Sequence, residues 1–337
     1  MTDKTIKTVA VYGAGSWGTA LALQLARAGS KVLLWDIDSE LLENMQRDGI
    51  NHRYIPNVKL HENITIEADL ETVCRAADLN LLVIPSHVYR QFLSQLKPLL
   101  TEKSKVAWAS KGLEPDSGLL LHQVIAEVIP QVTQKAVISG PTFAVEVAEN
   151  LPTAVTVAAK DEGFALEVAK YLHSDNFRAY TSHDIIGVEL GGALKNVLAI
   201  ATGLSDGLGF GANSRAALVT RGLAEIMRLG LRLGGEKETF MGLAGLGDLV
   251  LTCTDDKSRN RRMGLNLASG LTAEESKEKI GQAVEGVRTA REAHLMAVRY
   301  EIDCPIIEQV YKILYHNMKP QEVVHDLLSR DLRSESN

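Results

Sequence analysis

Short apolar runs alternate with longer amphipathic stretches through the first half of the chain. The runs that predict strands cover residues 8–12, 32–35, 81–84, 106–109, 137–139 and 154–158. Their near-continuous apolar character is typical of strands that are buried on both faces of a parallel sheet. The stretches between them have helical spacing and would cover the sheet, so we predict an α/β fold for this half.

The pattern changes after about residue 185, where β-branched runs disappear and Leu, Ala, Gly, Met, Arg and Glu recur at helical spacing. The change predicts a sheet-bearing domain over residues 1–185 and an all-α domain over residues 186–337. No low-complexity linker separates them, so we expect a broad interface. The length of 337 residues also fits two domains of ordinary size.

Composition narrows the class of protein. The fractions of hydrophobic (45%) and charged (23%) residues are those of a globular protein, and the net charge of −6 argues against binding to nucleic acid or to an anionic membrane. Three cysteines without a CxxC pair predict a reducing compartment. Without an uninterrupted span-length apolar run or a signal peptide, we expect a cytoplasmic protein with no membrane insertion. Histidine and cysteine spacing predicts no metal site.

Residues 13–18 read Gly-Ala-Gly-Ser-Trp-Gly between a predicted strand and a predicted helix. In a G-x-G-x-x-G loop, Gly13 permits the turn, Gly15 lets a pyrophosphate approach the backbone, and Gly18 allows close helix packing. The following helix N-terminus favours a bound phosphate. A glycine-rich turn without a ligand is the alternative, but the full context favours a dinucleotide site of the Rossmann type.

Asp36 ends the second predicted strand, 21 positions beyond Gly15. A carboxylate there accepts hydrogen bonds from a ribose 2′-hydroxyl and repels a 2′-phosphate, so NAD is favoured over NADP. The alternative is that Asp36 is an ordinary helix-capping residue, as Asp38 could also be.

The other predicted strands end in glycines and polar side chains that should line one crevice, because ligands bind at the carboxyl ends of strands in an open α/β sheet. These strand ends are Pro85 and Ser86, Lys111 and Gly112, and Gly140 to Thr142. Lys111 could equally be a surface lysine in a turn.

Lys195 lies in a predicted helix, on the side opposite the apolar face, so periodicity alone predicts an exposed lysine. The residues near it on that side, Gly191, Gly192 and Ala199, are unusually small for a solvated face. They suggest that another surface or a ligand comes close. If Lys111 and Lys195 approach each other, the pKa of one should fall, which would suit it to acid/base chemistry near neutral pH.

Four cations occupy six positions between Lys257 and Arg262. The run could be a solvated face or a nucleic-acid patch, but the negative net charge weakens the second possibility. Ser258 is a plausible N-cap that would place Arg259 and Asn260 in a first helical turn, where a small anion such as phosphate is favoured.

Residues 242–248 are too rich in glycine for an ordinary helix and end at Asp248. This aspartate is either a helix cap or a carboxylate that orients the lysine or substrate hydroxyls.

A series of motifs runs in order along the chain, within a region that extends from residue 9 to about residue 315. They are GAGSWGTALA (13–22), VIPSH (83–87), ASKGLE (109–114), ISGPTFAVE (138–146), ELGGALKNV (189–197), GLAGLGDLVLTCT (242–254), SRNRRMG (258–264) and AVEG (283–286). This series resembles the bacterial NAD(P)-dependent glycerol-3-phosphate dehydrogenases. Many members of that family carry a basic or neutral residue where this chain has Asp36.

The resemblance implies a two-domain dehydrogenase that interconverts sn-glycerol 3-phosphate and dihydroxyacetone phosphate. Besides Gly13, Gly15, Gly18 and Asp36, the implied dinucleotide contacts are Ser16, Trp17, Lys111, Ala144, Arg259, Val284 and Glu285. The implied substrate contacts are Lys111, Gly140, Thr142, Lys195, Asn196, Asp248, Ser258, Arg259 and Asn260. Within this set Lys195 would be the proton acceptor, with Lys111 and Asp248 completing the catalytic group.

The resemblance also implies a homodimer and a role in supplying glycerol phosphate for phospholipid synthesis. Two other functions fit parts of the pattern. One is a different β-hydroxyacid dehydrogenase, of the phosphogluconate or hydroxyisobutyrate type, although the arginine-rich run disfavours a substrate without phosphate. The other is a non-catalytic NADH-sensing module, which would need neither the lysine pair nor a second anion site.

Overall fold

An eight-stranded sheet organises the first half of the chain. The computed structural model describes residues 6–316 and 318–323, so the last residues of the predicted helical domain lie outside the described residues. The strands are β1 (Thr8–Tyr12), β2 (Lys31–Trp35), β3 (Ile50–Asn51), β4 (Ile55–Lys59), β5 (Ile64–Ile66), β6 (Leu79–Leu82), β7 (Lys105–Trp108), β8 (Gln134–Ser139), β9 (Thr153–Ala159) and β10 (Phe177–Ser182).

Helices follow most strands and then make up the second half. They are α1 (Ser16–Arg27), α2 (Ser39–Asp48), α3 (Leu70–Ala76), α4 (Tyr89–Leu96), α5 (Leu121–Val128), α6 (Ala144–Ala148), α7 (Glu162–Leu172), α8 (Ile185–Gly207), α9 (Gly211–Arg232), α10 (Lys237–Met241), α11 (Asp248–Thr254), α12 (Arg259–Ala268), α13 (Ala273–Ile280), α14 (Glu285–Arg299) and α15 (Pro305–His316). Among the described residues, no strand follows β10, which confirms a sheet-bearing half followed by a helical half.

The strand order is β10-β9-β8-β7-β6-β1-β2-β5, with β3 and β4 forming a separate antiparallel pair. The chain runs outward from β1 to β2 and β5, then returns to β6 on the other side of β1. Because the direction of winding reverses at β1, the loops after β1 and β6 diverge and leave a crevice at the carboxyl edge of the sheet.

The six predicted strands all exist, but the sheet is not wholly parallel as predicted. Strand β9 pairs antiparallel with β8, and β10 pairs parallel with β9. A run buried on both faces has the same apolar pattern in either direction, so the sequence could not reveal the reversal. The pattern also missed β3, which is only two residues long, and β4, β5 and β10, which have exposed positions.

Helix α8 is the centre of the helical half. It is long and apolar enough to cross a membrane, yet 94% of its most apolar window is buried within the protein, as in the core helix of a globular fold. Its first turn, with Ile185 and Val188, packs in the hydrophobic cluster on one face of the sheet. The rest of the helix, from Leu190 to Leu204, packs in the helical cluster. Helix α8 therefore joins the cores of the two halves.

Candidate active site

A cleft of about 1010 Å³ opens at the carboxyl edge of the sheet, between the two halves. The sheet-bearing half lines it with the glycine loop and the loops after β2, β6, β7 and β8. The helical half lines it with Lys195 and Asn196 of α8, residues 255–260 and residues 282–283. Each predicted strand end contributes to this cleft, through the glycine loop, Asp36, Pro85, Lys111 and Thr142. The predicted lining residues Ser86, Gly112, Gly140 and Pro141 do not line it.

The glycine loop has the geometry that its motif predicted. Gly13 has φ +107°, a conformation that L side chains rarely adopt. A β-carbon on Gly18 would lie 1.8 Å from the carbonyl oxygen of Gly13, so only glycine allows α1 to pack this closely on the loop. At Gly15, by contrast, a β-carbon would meet no protein atom within 4 Å and would occupy the cleft. This open cradle, at the N-terminus of α1, fits a dinucleotide pyrophosphate.

Asp36 is half-buried at the cleft wall and both of its carboxylate oxygens accept backbone hydrogen bonds. One oxygen accepts from Ala14 N at 2.6 Å and the other from Asp38 N at 3.0 Å. Asp38, not Asp36, caps α2 by accepting from Leu41 N. The capping alternative is therefore wrong for Asp36, which instead holds the end of β2 against the glycine loop.

Trp17 extends from the first turn of α1 toward the lysines. Its indole Nε1 donates to the carbonyl oxygen of Ala109 at 3.1 Å, and the Lys111 ammonium lies 5.8 Å from the ring centroid. Ser16, Trp17 and Ala144 all line the cleft. Phe143, which lies in the ISGPTFAVE motif but was not predicted as a site residue, also lines the cleft.

Lys195 is 5% exposed, so the exposure predicted from helical periodicity is wrong. Periodicity assumes one solvated face, whereas α8 is enclosed on all sides. The Lys195 ammonium pairs with Asp248, which is completely buried. Lys111 donates to the other oxygen of the same carboxylate at 2.8 Å. Asp248 therefore orients both lysines, and the alternative of a helix cap is wrong: Gly247 occupies the N-cap position of α11.

Burial, with a smaller contribution from the charge of Lys111, lowers the pKa of Lys195 to about 7 against the opposing influence of Asp248. The expected approach of the two lysines is confirmed, but burial contributes more to the lowered pKa than the second ammonium does. A lysine that titrates near neutral pH can accept or donate a proton at the working pH of the cell.

The small residues beside Lys195 have a structural cause. A β-carbon on Gly191 would lie 2.4 Å from the carbonyl oxygen of Ala244, and one on Gly192 would lie 2.6 Å from Ser139 Oγ. Residues 243–247, predicted to be too rich in glycine for an ordinary helix, form a π-helical turn against α8. The close approach that these glycines predicted is made by protein surfaces.

Two residues after β8 fix Lys111. Its ammonium donates to the carbonyl oxygen of Gly140 at 3.0 Å and to Thr142 Oγ1 at 3.4 Å. Thr252, which we did not predict, donates from Oγ1 to the Asp248 carbonyl oxygen at 2.6 Å and approaches its carboxylate at 3.4 Å. Thr252 lies one turn after Asp248 in α11, and this spacing could have identified it.

Helix α12 brings a polar group to the cleft opposite the glycine loop. Ser258 caps it by accepting from Arg261 N at 3.2 Å, as predicted. Asn260 donates from Nδ2 to Asn196 Oδ1 at 2.9 Å and accepts from Gly286 N. Arg259 is half-buried, and burial lowers its pKa.

The four cations of this segment do not act as one group. Arg261 is buried and pairs with Asp206 and Asp256, and Lys257 pairs with Glu146 at 2.5 Å. Arg259 lines the cleft and its closest hydrogen-bond partner there is Gln282, at 3.4 Å. Gln282 was not predicted, because it lies one position before the AVEG motif and so outside the residues that carried the resemblance.

The AVEG segment only partly faces the cleft. Glu285 lines it and accepts from Ser86 Oγ at 3.1 Å, and burial raises the pKa of this carboxyl. The Val284 side chain instead packs in the helical cluster, because it immediately precedes α14 and faces inward. Among the described residues, no group of three or more His, Cys, Asp or Glu side chains is arranged to hold a metal ion.

Comparison with known proteins agrees with this geometry. Models for the N-terminus and the C-terminus of NAD-dependent glycerol-3-phosphate dehydrogenase match residues 8–165 and 184–325. A glycerol-3-phosphate dehydrogenase (NAD(P)+) of Aeromonas salmonicida is 52% identical over 328 residues, which are 97% of this chain and 98% of that protein. The chain belongs to the NAD-dependent glycerol-3-phosphate dehydrogenase family.

Solved structures of glycerol-3-phosphate dehydrogenases support the assignment. The crystal structure from Coxiella burnetii is 48% identical with a TM-score of 0.93, and the match covers 96% of this chain and 99% of that one. The yeast structure, from Saccharomyces cerevisiae, is 29% identical with a TM-score of 0.81 and the same two coverages. The resemblance seen in the motifs is confirmed, and with it the prediction of an NAD(P)-dependent dehydrogenase.

Proposed function

We propose that this protein transfers a hydride reversibly between sn-glycerol 3-phosphate and NAD, interconverting the substrate with dihydroxyacetone phosphate. One observation carries the proposal: Lys111 and Lys195, from the two halves of the chain, meet on the buried Asp248 beside a cleft that begins at a dinucleotide-type glycine loop. The names of the relatives support the choice of substrate.

The dinucleotide lies along the sheet-bearing wall of the cleft in this proposal. The cradle at Gly15 would hold the pyrophosphate, and Asp36 would accept hydrogen bonds from the adenosine ribose, which favours NAD over NADP. When bound, the nicotinamide supplies or accepts the hydride at C2 of the substrate. The residues that would hold the dinucleotide are Gly13, Gly15, Ser16, Trp17, Gly18, Asp36, Lys111, Ala144, Arg259 and Glu285, and Val284 would contribute only through its backbone.

Lys195 moves the proton that accompanies the hydride. During oxidation the neutral amine accepts the proton of the C2 hydroxyl, and during reduction the ammonium returns it to the carbonyl oxygen. A pKa of about 7 supports this assignment, because both forms are populated near neutral pH.

Lys111 and Asp248 prepare the site around that proton. Asp248 accepts from both amines and so keeps the Lys195 nitrogen in one position. The Lys111 ammonium stabilises negative charge that develops on the substrate oxygen. Gly140 and Thr142 hold Lys111 and complete this part of the substrate site.

The substrate phosphate binds at the start of α12, away from the reacting carbon. Arg259 supplies the charge, and Ser258, Asn260 and Asn196 supply polar contacts. This group contributes by fixing the position of the substrate rather than by chemistry. Within the described part of the chain, the half-buried Arg259 guanidinium feels the charge of Glu285 but makes no hydrogen bond to a carboxylate, which supports an anion site there.

We also propose that the chain divides into functional domains at residues 1–185 and 186–337. The start of α8 at Ile185 and the two family matches, which end at residue 165 and begin at residue 184, support this boundary. The family resemblance supports a cytoplasmic homodimer that supplies glycerol phosphate for phospholipid synthesis, without a nucleic-acid partner or membrane insertion.

The direct test is oxidation of NADH by the purified protein with dihydroxyacetone phosphate, followed by absorbance and repeated with NADPH. We expect the protein to oxidise NADH when dihydroxyacetone phosphate is present, and to do so with a higher kcat/KM than it has for NADPH. Phosphogluconate and hydroxyisobutyrate, assayed with NAD, separate the other β-hydroxyacid dehydrogenases. Tight NADH binding without turnover on any substrate would contradict the proposal and favour a sensing module.

A further inference from the structure

A second buried carboxylate connects the strand that precedes Lys111 with the helix that carries Lys195. Glu189 of α8 is 6% exposed. Its Oε1 accepts from Trp108 Nε1 at 2.9 Å and from His122 N at 2.9 Å, and its Oε2 lies 2.5 Å from His122 Nδ1. The carboxylate of the helical half is thus held by three groups of the sheet-bearing half.

These contacts lie close to both lysines along the chain. Trp108 is the last residue of β7, three residues before Lys111, and Glu189 is six residues before Lys195 on α8. Neither Trp108 nor Glu189 lines the cleft. Glu189 therefore joins the two elements behind the site without touching the space where substrate and dinucleotide would bind.

We propose that Glu189 is a positioning residue, whose hydrogen bonds to Trp108 and His122 fix the separation of Lys111 and Lys195 on Asp248. The inference rests on the proposed function, because it assigns the two lysines to the reaction. It adds a residue that acts through them.

The chemistry of this contact indicates that Glu189 orients α8 and β7 relative to each other and does not merely hold them together. An apolar side chain of similar size would bury the same surface without the cost of removing a charge from water. Hydrogen bonds to an indole and to an imidazole, unlike apolar contacts, have fixed lengths and directions. They therefore add a directional constraint on how α8 lies on the end of β7.

The groups around each end of this connection define what a variant would change. Glu189 faces His122 and the buried Tyr89, whose pKa is raised first by burial and then by the Glu189 charge. Lys195 faces Asp248, Lys111 and the buried thiol of Cys253. If α8 moves away from β7 together with α11, which packs on α8 and carries Asp248, Lys195 gains water and loses its close approach to Lys111. Both changes raise its pKa.

The test compares Glu189→Ala and Glu189→Gln in the full chain. Glutamine keeps an acceptor for Trp108 and for the His122 amide, whereas alanine removes every hydrogen bond. We expect Glu189→Ala to lower kcat/KM for dihydroxyacetone phosphate about 10- to 100-fold, as for a catalytic group displaced by about 1 Å. The midpoint of the pH dependence of this kcat/KM should move to higher pH by about half a unit or more in Glu189→Ala. Glu189→Gln should keep kcat/KM and the pH midpoint close to their wild-type values. The Kd for NADH should change less than about twofold in each variant.

Glu225→Gln is the matched control, because Glu225 is also a buried carboxylate that accepts two backbone hydrogen bonds, from Ile306 N and Ile307 N at 2.8 and 3.1 Å. It should change the thermal stability without moving the pH midpoint. Trp108→Phe removes one donor to Glu189 and should reproduce part of the Glu189→Ala shift if that variant does not fold.

An unchanged pH midpoint in folded Glu189→Ala, or in Trp108→Phe where the alanine variant does not fold, would overturn the inference. So would an equal shift in Glu225→Gln. Lys195→Ala separates this failure from failure of the proposed function: an inactive Lys195→Ala beside an unaltered Glu189→Ala rejects only the role of Glu189. Near wild-type turnover in Lys195→Ala rejects the proposed function itself.

Discussion

The two ends of the cleft are constructed differently. The glycine-loop end comes from one short segment, residues 13–18, and acts through backbone geometry and the start of α1. The lysine end gathers Lys111, Lys195 and Asp248 from a strand end and two helices in both halves of the chain. A backbone site depends on local sequence, whereas a side-chain site depends on how distant elements pack.

This difference predicts separable defects. Changes in the glycine loop should weaken dinucleotide binding and leave the proton chemistry intact. Changes at Lys195, which contacts only the substrate in this proposal, should slow turnover and leave dinucleotide binding intact.

The largest effect is expected from Lys195→Ala. Loss of the proton acceptor should lower kcat by at least about 100-fold while the Kd for NADH, measured by fluorescence titration, stays near its wild-type value. Lys105→Ala is a suitable control, because Lys105 lies at the start of β7, far from the carboxyl edge of the sheet, where it pairs with Glu167 of α7. Turnover of Lys195→Ala near that of the control would contradict the assignment.

Gly15→Ala should give the opposite defect. Gly15 has φ −66° and ψ −178°, which alanine adopts without strain, and its β-carbon would meet no protein atom. The methyl group would instead occupy the pyrophosphate cradle. We expect the KM for NADH to rise about 10- to 50-fold with an unchanged Tm.

Gly18→Ala is the contrasting variant, because its β-carbon would clash with the Gly13 carbonyl oxygen. It should lower the free energy of unfolding by about 1–3 kcal/mol as well as weaken NADH binding. Equal losses of stability in the two variants would show that Gly15 serves packing rather than a ligand.

The pH dependence of turnover should follow Lys195. Oxidation of glycerol 3-phosphate needs the neutral amine, so kcat/KM should fall about tenfold per pH unit below the pKa of about 7. Reduction of dihydroxyacetone phosphate needs the ammonium and should decline above the same pH. Because Asp248 raises the pKa of Lys195, Asp248→Asn should move both midpoints to lower pH. A shift to higher pH would contradict this electrostatic account.

The smallest effect is expected from Asp36→Asn. The amide oxygen keeps an acceptor for Ala14 N and so holds the glycine loop, although the hydrogen bond from Asp38 N is lost. The charge that repels a 2′-phosphate is removed. We expect the ratio of kcat/KM for NADPH to that for NADH to rise about 3- to 10-fold. Asp38→Asn, which changes the neighbouring helix cap, should leave this ratio unaltered.

The sequence alone predicted those features that depend only on neighbouring residues in the chain. The glycine loop, the β1 and β2 strands and the Ser258 cap each follow from residues within one short segment. Family motifs added the site residues of the helical half. The direction of β9 was not predictable, because a strand buried on both faces carries no sign of which way it runs.

Lys195 shows why the lysine end needed the structure. Helical periodicity places it opposite the apolar face, but periodicity cannot tell solvent from a second protein surface. The small residues around it signalled a close approach without naming the partner, which is the π-helical turn before Asp248 and the end of β8. Its low pKa depends mainly on burial, which no pattern of charges in the sequence could reveal.

The central position of α8 also has a consequence for synthesis of the chain. Because α8 follows the sheet, the ribosome releases the sheet-bearing half while the apolar surface that receives Ile185 and Val188 is still bare. A nascent chain arrested before α8 would expose that surface to chaperones and to other chains. Fragments cut near residue 185 should therefore aggregate, even though the cut falls between two recognisable halves.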